Sequence, residues 1–326
     1  MPGGQSGNTS HFQNRVHEHV TLLLQSSLAK PSTKLYQKVW KEMHRFHVLH
    51  YGKRAPLPVS TPTVMKFVAH LDLLGLAKAT IRSYMSSIGY PHRLSGWVDP
   101  TAAVAVRKII DASGTMSKKK PAKRPISLAM LRRLVTSTSH VFEGYKARLM
   151  GSIFALAFHA CARVGELVLS NGNLSHVLKL DQVTMVKVQG KVTEIHVSFD
   201  TYKHSRPGQP GYRTILPISG PVCPIKLLLA YLEVRPKRSS DNRCPLFVWQ
   251  SGEVVKSQEV CKALKTCLEH IGEDVAFYSP HGFRIGGATE AAKRGASDSE
   301  LRMLGRWRSS AFLQYVRPQA FAFAYQ

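Results

Sequence analysis

The chain has 326 residues, 44% of them hydrophobic, which suits two globular domains and excludes a disordered polymer. Lys and Arg number 45 against 20 Asp and Glu, a formal net charge of +25. The excess is +14 in residues 1–126 and +11 in the remainder, so the expected partner is a polyanion touching both halves, nucleic acid before an anionic membrane. No apolar run is long enough to span a bilayer, and the longest, 153–162, is interrupted by His159. The opening MPGGQSGNTSHFQ lacks the basic and apolar regions of a secretory signal. Cys161, Cys223, Cys244, Cys261 and Cys267 form no CxxC pair and are odd in number, which argues for reduced thiols rather than a disulfide framework or a zinc knuckle.

Taken in chain order, residues 1–20 read as a flexible polar lead and 21–112 as a small all-helical domain. From Ser32, Tyr36, Val39, Trp40, Met43 and Phe46 fall on one helical face. The opposite face carries Lys34, Lys38, Lys41 and Arg45, candidates for DNA backbone contact. Thr61 is an expected N-cap before Pro62, and Gly75 an expected stop. Further helices are expected from Thr80 and over 102–110. Residues 113–126, SGTMSKKKPAKRPI, lack an apolar period and read as a basic linker. Lys118, Lys119, Lys120, Lys123 and Arg124 make it either a solvated spacer or a strap on phosphates.

A second domain is expected over 127–326, starting at the N-cap Ser127. After Leu149 the chain is apolar all round to Ala162, the mark of a buried central helix. Residues 177–218 alternate and are rich in Val, Thr and Ile, so they predict a small antiparallel sheet with turns at 189–190 and 206–211. Helices resume over 224–234 and 257–271. The overall expectation is mainly α with a small antiparallel β-sheet.

The most informative stretch runs from Ser279 to Arg317, SPHGFRIGGATEAAKRGASDSELRMLGRWRSSAFLQYVR. Ser279 as N-cap and Pro280 at N1 predict a helix start that puts His281 and Arg284 on one face of its first turn. Free N–H groups and the positive helix end point the same way, which suits a phosphate. Gly286 and Gly287 would allow close backbone packing, and Ser297 with Glu300 is a capping box for the next helix, ending at Gly305. Tyr315 follows on an expected helix with Phe312 and Val316. Each residue alone has a plainer explanation; their order, with Arg163-x-x-Glu166 and a lysine-bearing hairpin upstream, is what distinguishes them.

That order resembles the tyrosine recombinase (phage integrase) family over roughly residues 30–318. SYMSSIGYPHRLSGWVDPT and GRWRSSAFLQYVRP look most like recombinases of eukaryotic mobile elements of the Crypton, DIRS and Ngaro kind. The resemblance implies a helical core-binding domain and a mixed α+β catalytic domain that together clamp duplex DNA. It implies that Tyr315 attacks a phosphodiester to give a 3′-phosphotyrosine, and that Arg163, Arg284 and Trp307 stabilise the charge on the phosphate. His281 would accept the tyrosine proton, Lys203 would protonate the leaving 5′-oxygen, and Glu166 would orient Arg163 or His281. Lys187 and Lys191 are the alternatives to Lys203. Counting back nine residues from Tyr315 reaches Arg306, whereas counting forward from HxxR reaches Trp307; Trp307 is favoured, with Arg306 then facing DNA backbone or solvent.

No metal, ATP or other cofactor is implied. Expected partners are double-stranded DNA and further copies of the chain, monomers when free and tetramers on paired sites, with no membrane. A eukaryotic element would place the protein in the nucleus, and any other origin in the cytoplasm. The rival readings are a type IB topoisomerase-like activity and an element-derived DNA-binding protein without catalysis.

Overall fold

The structure, a computed structural model, describes residue 19 and residues 30–114, 121–172, 174–202, 208–237 and 243–317. The chain divides into two compact units, Met1–Lys120 and Pro121–Gln326. The expected lead 1–20 lies outside the described residues except for His19.

In the first unit, α1 (Lys30–Tyr51), α2 (Thr61–Leu73), α3 (Lys78–Leu94) and α4 (Val104–Ala112) enclose one core. Val39, Met43 and Phe46 of α1 meet Phe67 and Leu71 of α2 and Ile81 and Ile88 of α3, all essentially sealed from solvent. This is the apolar face read from the sequence. The α2 cap is displaced by one residue: Ser60, rather than Thr61, accepts from the Thr63 amide at 3.4 Å. Lys34, Lys38, Lys41 and Arg45 are exposed and line one groove on α1, with Arg45 3.5 Å from Glu42.

The second unit is built around α6 (Gly144–His159), buried from Leu149 to Phe158. Around it pack α5 (Leu128–Val141), α8 (Pro224–Val234) and α10 (His281–Lys293). One turn of helix, α7 (Val164–Leu167), follows α6; α9 (Ser257–His270) and α11 (Asp298–Gly305) complete the helices used below. Strands β1 (Val183–Val188), β2 (Lys191–Phe199) and β3 (Gly211–Ile215) form an antiparallel sheet in the order β1-β2-β3. Gln189 and Gly190 both have positive φ, 50° and 76°, as a two-residue hairpin turn with right-handed twist requires.

The expected linker needs correction at its C-terminal end. Residues 121–126 are an extended segment laid on the second unit. The Arg124 amide donates to Phe277 O at 2.7 Å, and the Ile126 amide to Gly282 O at 3.0 Å. Ile126 is fully buried, because α10 presents Gly282 and Gly286 to it. A methyl at Gly286 would overlap the Ile126 carbonyl, and one at Gly287 the Phe158 carbonyl, so the glycine pair lets α10 touch backbone on two sides. Lys123 Nζ donates to Ala276 O at 2.7 Å, and the Arg124 guanidinium lies 4.1 Å from the Phe277 ring centre. Both side chains stay exposed, but they are tied to the protein rather than free on a spacer.

Candidate active site

Two helices end in the same way and face each other. α6 closes with Cys161 N donating to Phe158 O and Ala162 N to Ala157 O, and Cys161 takes the left-handed conformation, φ 45°. α11 closes with Arg306 N on Met303 O and Trp307 N on Arg302 O, and Arg306 is left-handed, φ 56°. This paired-bond ending normally uses glycine; here cysteine and arginine carry its strain. Each ending reverses the chain and delivers a side chain to one place, Arg163 from the first and Trp307 from the second. Arg163 therefore does not cap the carbonyls of α6. It begins the turn of α7, and its amide donates to Glu166 Oε2 at 3.0 Å.

Arg284 joins the two endings. Its side chain is fully buried; one terminal nitrogen donates to Cys161 O and the other to Gly305 O, the latter at 2.5 Å. A guanidinium has five N–H donors, so two bonds fix the plane and leave donors to spare, among them a buried, unpartnered Nε. The Trp307 ring lies 4.5 Å from the guanidinium and the Tyr315 ring 5.5 Å. Burial and then repulsion by Arg163 pull the Arg284 pKa below the ordinary arginine range, yet it stays cationic at neutral pH.

Glu166 holds two further arginines. Its Oε1 accepts from Arg163 at 2.7 Å and its Oε2 from Arg306 at 2.5 Å. Burial alone would raise this carboxyl, but Arg306, Arg284 and Arg163 together hold it below the usual carboxylate range. Arg306 does not face DNA backbone or solvent as expected: its side chain is only 3% exposed. The left-handed turn aims it inward, where its guanidinium stacks 3.9 Å from the Phe199 ring at the end of β2 and packs on Gly211 at the start of β3. It thus connects the paired ends of β2 and β3 to Glu166.

Tyr315 closes the site. Its ring centre is 4.8 Å from that of Trp307 and 5.3 Å from that of His281. It follows a 3₁₀ turn, Ser310–Gln314, rather than lying in the expected α-helix. His281 starts α10 at the rim of the site, with the Gly282 amide donating to Ser279 O at 2.8 Å; Ser279 contributes its carbonyl there and not the expected side-chain cap. Partial burial, then Arg284, Arg163 and Arg317, push the His281 pKa below the ordinary histidine value, so the ring is neutral at pH 7 and able to accept a proton. Trp307 is 9% exposed, and its Nε1–H is buried without a partner.

Arg163, Glu166, His281, Arg284, Trp307 and Tyr315 thus come together from three separate stretches of chain. Lys203 lies outside the described residues, as do Lys118, Lys119 and Lys120. Lys187 and Lys191 are exposed beside the β1–β2 turn. Sequence reasoning missed Arg213 on β3, mostly buried near Arg306 and Cys161. Its signal was faint, one arginine in a short alternating strand.

Among the described residues eight buried side-chain nitrogens or oxygens lack a partner, and five of them are donors on Arg213, Arg284, Arg306 and Trp307. Glu166 pairs with Arg163 and Arg306 and feels the charge of a third arginine, Arg284. Of the unpartnered donors, those on Arg284 and Trp307 lie beside Tyr315, whereas those on Arg306 sit inward against Glu166 and Phe199.

No protein-family model matches the chain, and no curated protein matches it. Solved structures do. A lambda integrase dimer bound to a COC′ core site is 14% identical, covering 96% of this chain and 81% of that one, with a TM-score of 0.60. The Tn1549 transposon integrase in complex with circular intermediate DNA is 14% identical over 91% of this chain and 93% of its own, TM-score 0.59. A lambda integrase tetramer bound to a Holliday junction is 12% identical, covering 92% and 78%, TM-score 0.58. The mainly helical chain with its three-stranded sheet therefore has the tyrosine recombinase fold.

Proposed function

We propose that the protein cuts and rejoins duplex DNA through a covalent bond between Tyr315 and a 3′-phosphate, as a site-specific recombinase of mobile DNA. The observation that carries this reading is the surplus of buried donors beside a tyrosine: Arg284 and Trp307 hold unpartnered N–H groups where their rings and planes meet Tyr315. A phosphodiester supplies oxygens for those donors and an electrophile for that hydroxyl. The DNA-bound integrases of the same fold support the same substrate class.

In this reading the phosphate sits against Arg163 and Arg284, which neutralise charge gathering on its non-bridging oxygens. Tyr315 Oη bonds to phosphorus as its proton passes to neutral His281. The 5′-oxygen departs with a proton from Lys203, a role that rests on the family resemblance. The reverse sequence rejoins a strand. The phosphotyrosine conserves the energy of the broken bond, so the reaction needs no nucleotide.

Assembly on paired sites, kinship with eukaryotic Crypton, DIRS or Ngaro elements, and a nuclear location belong to the same proposal. The lambda integrase dimer and tetramer support assembly on DNA.

The test is an unbiased trap. A random-sequence pool of nicked duplexes, from which the cut fragment diffuses away, is incubated with the full chain and denatured in detergent. Adducts that appear with the native protein and vanish with Tyr315→Phe support the reading. DNA retained equally by both proteins, with no denaturation-stable adduct, supports a non-catalytic DNA-binding protein instead.

A further inference from the structure

Thr289 lies on α10, one and a half turns beyond Arg284, and is fully buried. Its hydroxyl is 2.8 Å from Ile285 O and 3.0 Å from Tyr315 O, and it accepts the Arg317 amide at 3.2 Å. A threonine hydroxyl has one proton, shared here between two carbonyls, while its lone pair takes the Arg317 donor. The peptide groups at either end of the Tyr315–Arg317 segment therefore converge on one oxygen. That oxygen belongs to the helix that also carries His281 and Arg284.

The other backbone hydrogen bonds of the segment are local, while the Tyr315 and Val316 side chains pack on the cluster of Ala288, Trp307 and Phe312. The segment follows a 3₁₀ turn, and the Tyr315 and Val316 amides both lean on Phe312 O, at 2.8 and 3.2 Å. Arg317 reaches the strap through Lys123 O at 3.0 Å. Short 3₁₀ turns have poor hydrogen-bond geometry and yield easily. None of those bonds reaches α10; the ring of Tyr315 packs on His281 and Arg284 of that helix, and the backbone of the segment is bonded to it through the Thr289 hydroxyl.

We infer that Thr289 is a positioning residue: it tethers the tyrosine-bearing segment to the helix that holds the phosphate ligands, and so sets the reach of the Tyr315 hydroxyl. This rests on the function proposed above. Thr289 touches neither DNA nor the reacting atoms. Displacing a reacting group by ~1 Å can cost ~10²-fold in rate. Loss of the hydroxyl leaves the partly buried Tyr315 carbonyl and Arg317 amide without this partner on α10, which frees the segment to shift.

Thr289→Val keeps shape and volume while removing the hydroxyl, and Thr289→Ser restores it. Three full-length proteins are compared on a nicked duplex recovered from the random pool. Single-turnover adduct formation, DNA affinity, and amide hydrogen exchange of residues 312–317 and of α10 are measured. The tether predicts that Thr289→Val loses ~10–10²-fold in adduct rate with affinity within about twofold. Its 312–317 amides exchange at least about tenfold faster while those of α10 are unchanged, and Thr289→Ser stays near the native protein in both assays. Native rate and native exchange in Thr289→Val would overturn the inference. So would equal loosening of α10 and weakened DNA binding without rescue by serine, the pattern of a simple core residue. Should the native protein form no Tyr315 adduct, the functional reading fails, and the exchange measurement alone decides the tether.

Discussion

At the scale of single residues, the site is governed by how Arg163 and Arg306 share the one carboxylate of Glu166 beside Arg284. Glu166 gives one oxygen to Arg163 and the other to Arg306, and Arg306 is as buried as the acid it pairs with. Arg306→Met should therefore destabilise the fold by ~3–5 kcal/mol, the range for breaking one side of a buried pair, in chemical denaturation. Adding Glu166→Gln to that variant should cost far less than Glu166→Gln alone; additive losses would deny the coupling. The salt dependence of DNA binding should not change in Arg306→Met, since this side chain does not reach a phosphate. His281 allows a pH test. Its pKa lies below the ordinary histidine value, because burial and three arginines disfavour the charged ring. The base is lost when the ring protonates, so the second-order rate of adduct formation should fall only below about pH 6.5, where a free histidine titrates. An acid limb above that pH, or one that survives in His281→Ala, would remove His281 from the role. Trp307→Ala should slow cleavage by ~10–10³-fold, as for one lost donor at a developing anion, while Trp307→His should keep much of the rate.

At the scale of elements, what positions the site is a set of helix ends and one very close helix. α10 touches backbone at Ile126 and at Phe158, where only glycine fits. Gly286→Ala or Gly287→Ala should push α10 away and lower the thermal midpoint by several degrees, while alanine at exposed, helical Ser299 should not. An unchanged midpoint in both glycine variants would mean that α10 does not pack as closely as described. This glycine pair was legible in sequence, as were the Ser127 and Ser297 caps, the buried α6 and the hairpin turn at Gln189 and Gly190. Each is a local signal: a cap, a period or a turn. What was not legible depended on tertiary direction. Nothing local says that Arg306 turns inward, because a left-handed arginine after a helix looks like a surface residue until Glu166 and Phe199 are placed beneath it. Ile126 looked like the end of a linker because its partner, Gly282, is far away in sequence. Tyr315 was expected in an α-helix from Phe312 and Val316, yet its segment is set by Thr289 rather than by its own period. The order Arg, His, Arg, Trp, Tyr was readable; the distances between them were not.

At the scale of the whole molecule, charge sets the encounter with DNA and chemistry defines its outcome. The net charge of +25 is shared by both halves, and the α1 groove carries Lys34, Lys38, Lys41 and Arg45 on one exposed face. Replacing all four with Gln in the full chain should flatten the dependence of log affinity on log salt by about 0.9 for each phosphate that is no longer neutralised. An unaltered slope would mean that this face does not meet DNA. The central claim is narrower: that Tyr315, and no other hydroxyl, becomes bonded to DNA. The most direct measurement is peptide mass spectrometry of the detergent-stable adduct after digestion of protein and DNA. The account predicts a nucleotide phosphate on the peptide containing Tyr315, on the tyrosine itself, and no adduct from Tyr315→Phe. A phosphate carried by another residue, or an adduct that persists in Tyr315→Phe, would contradict it.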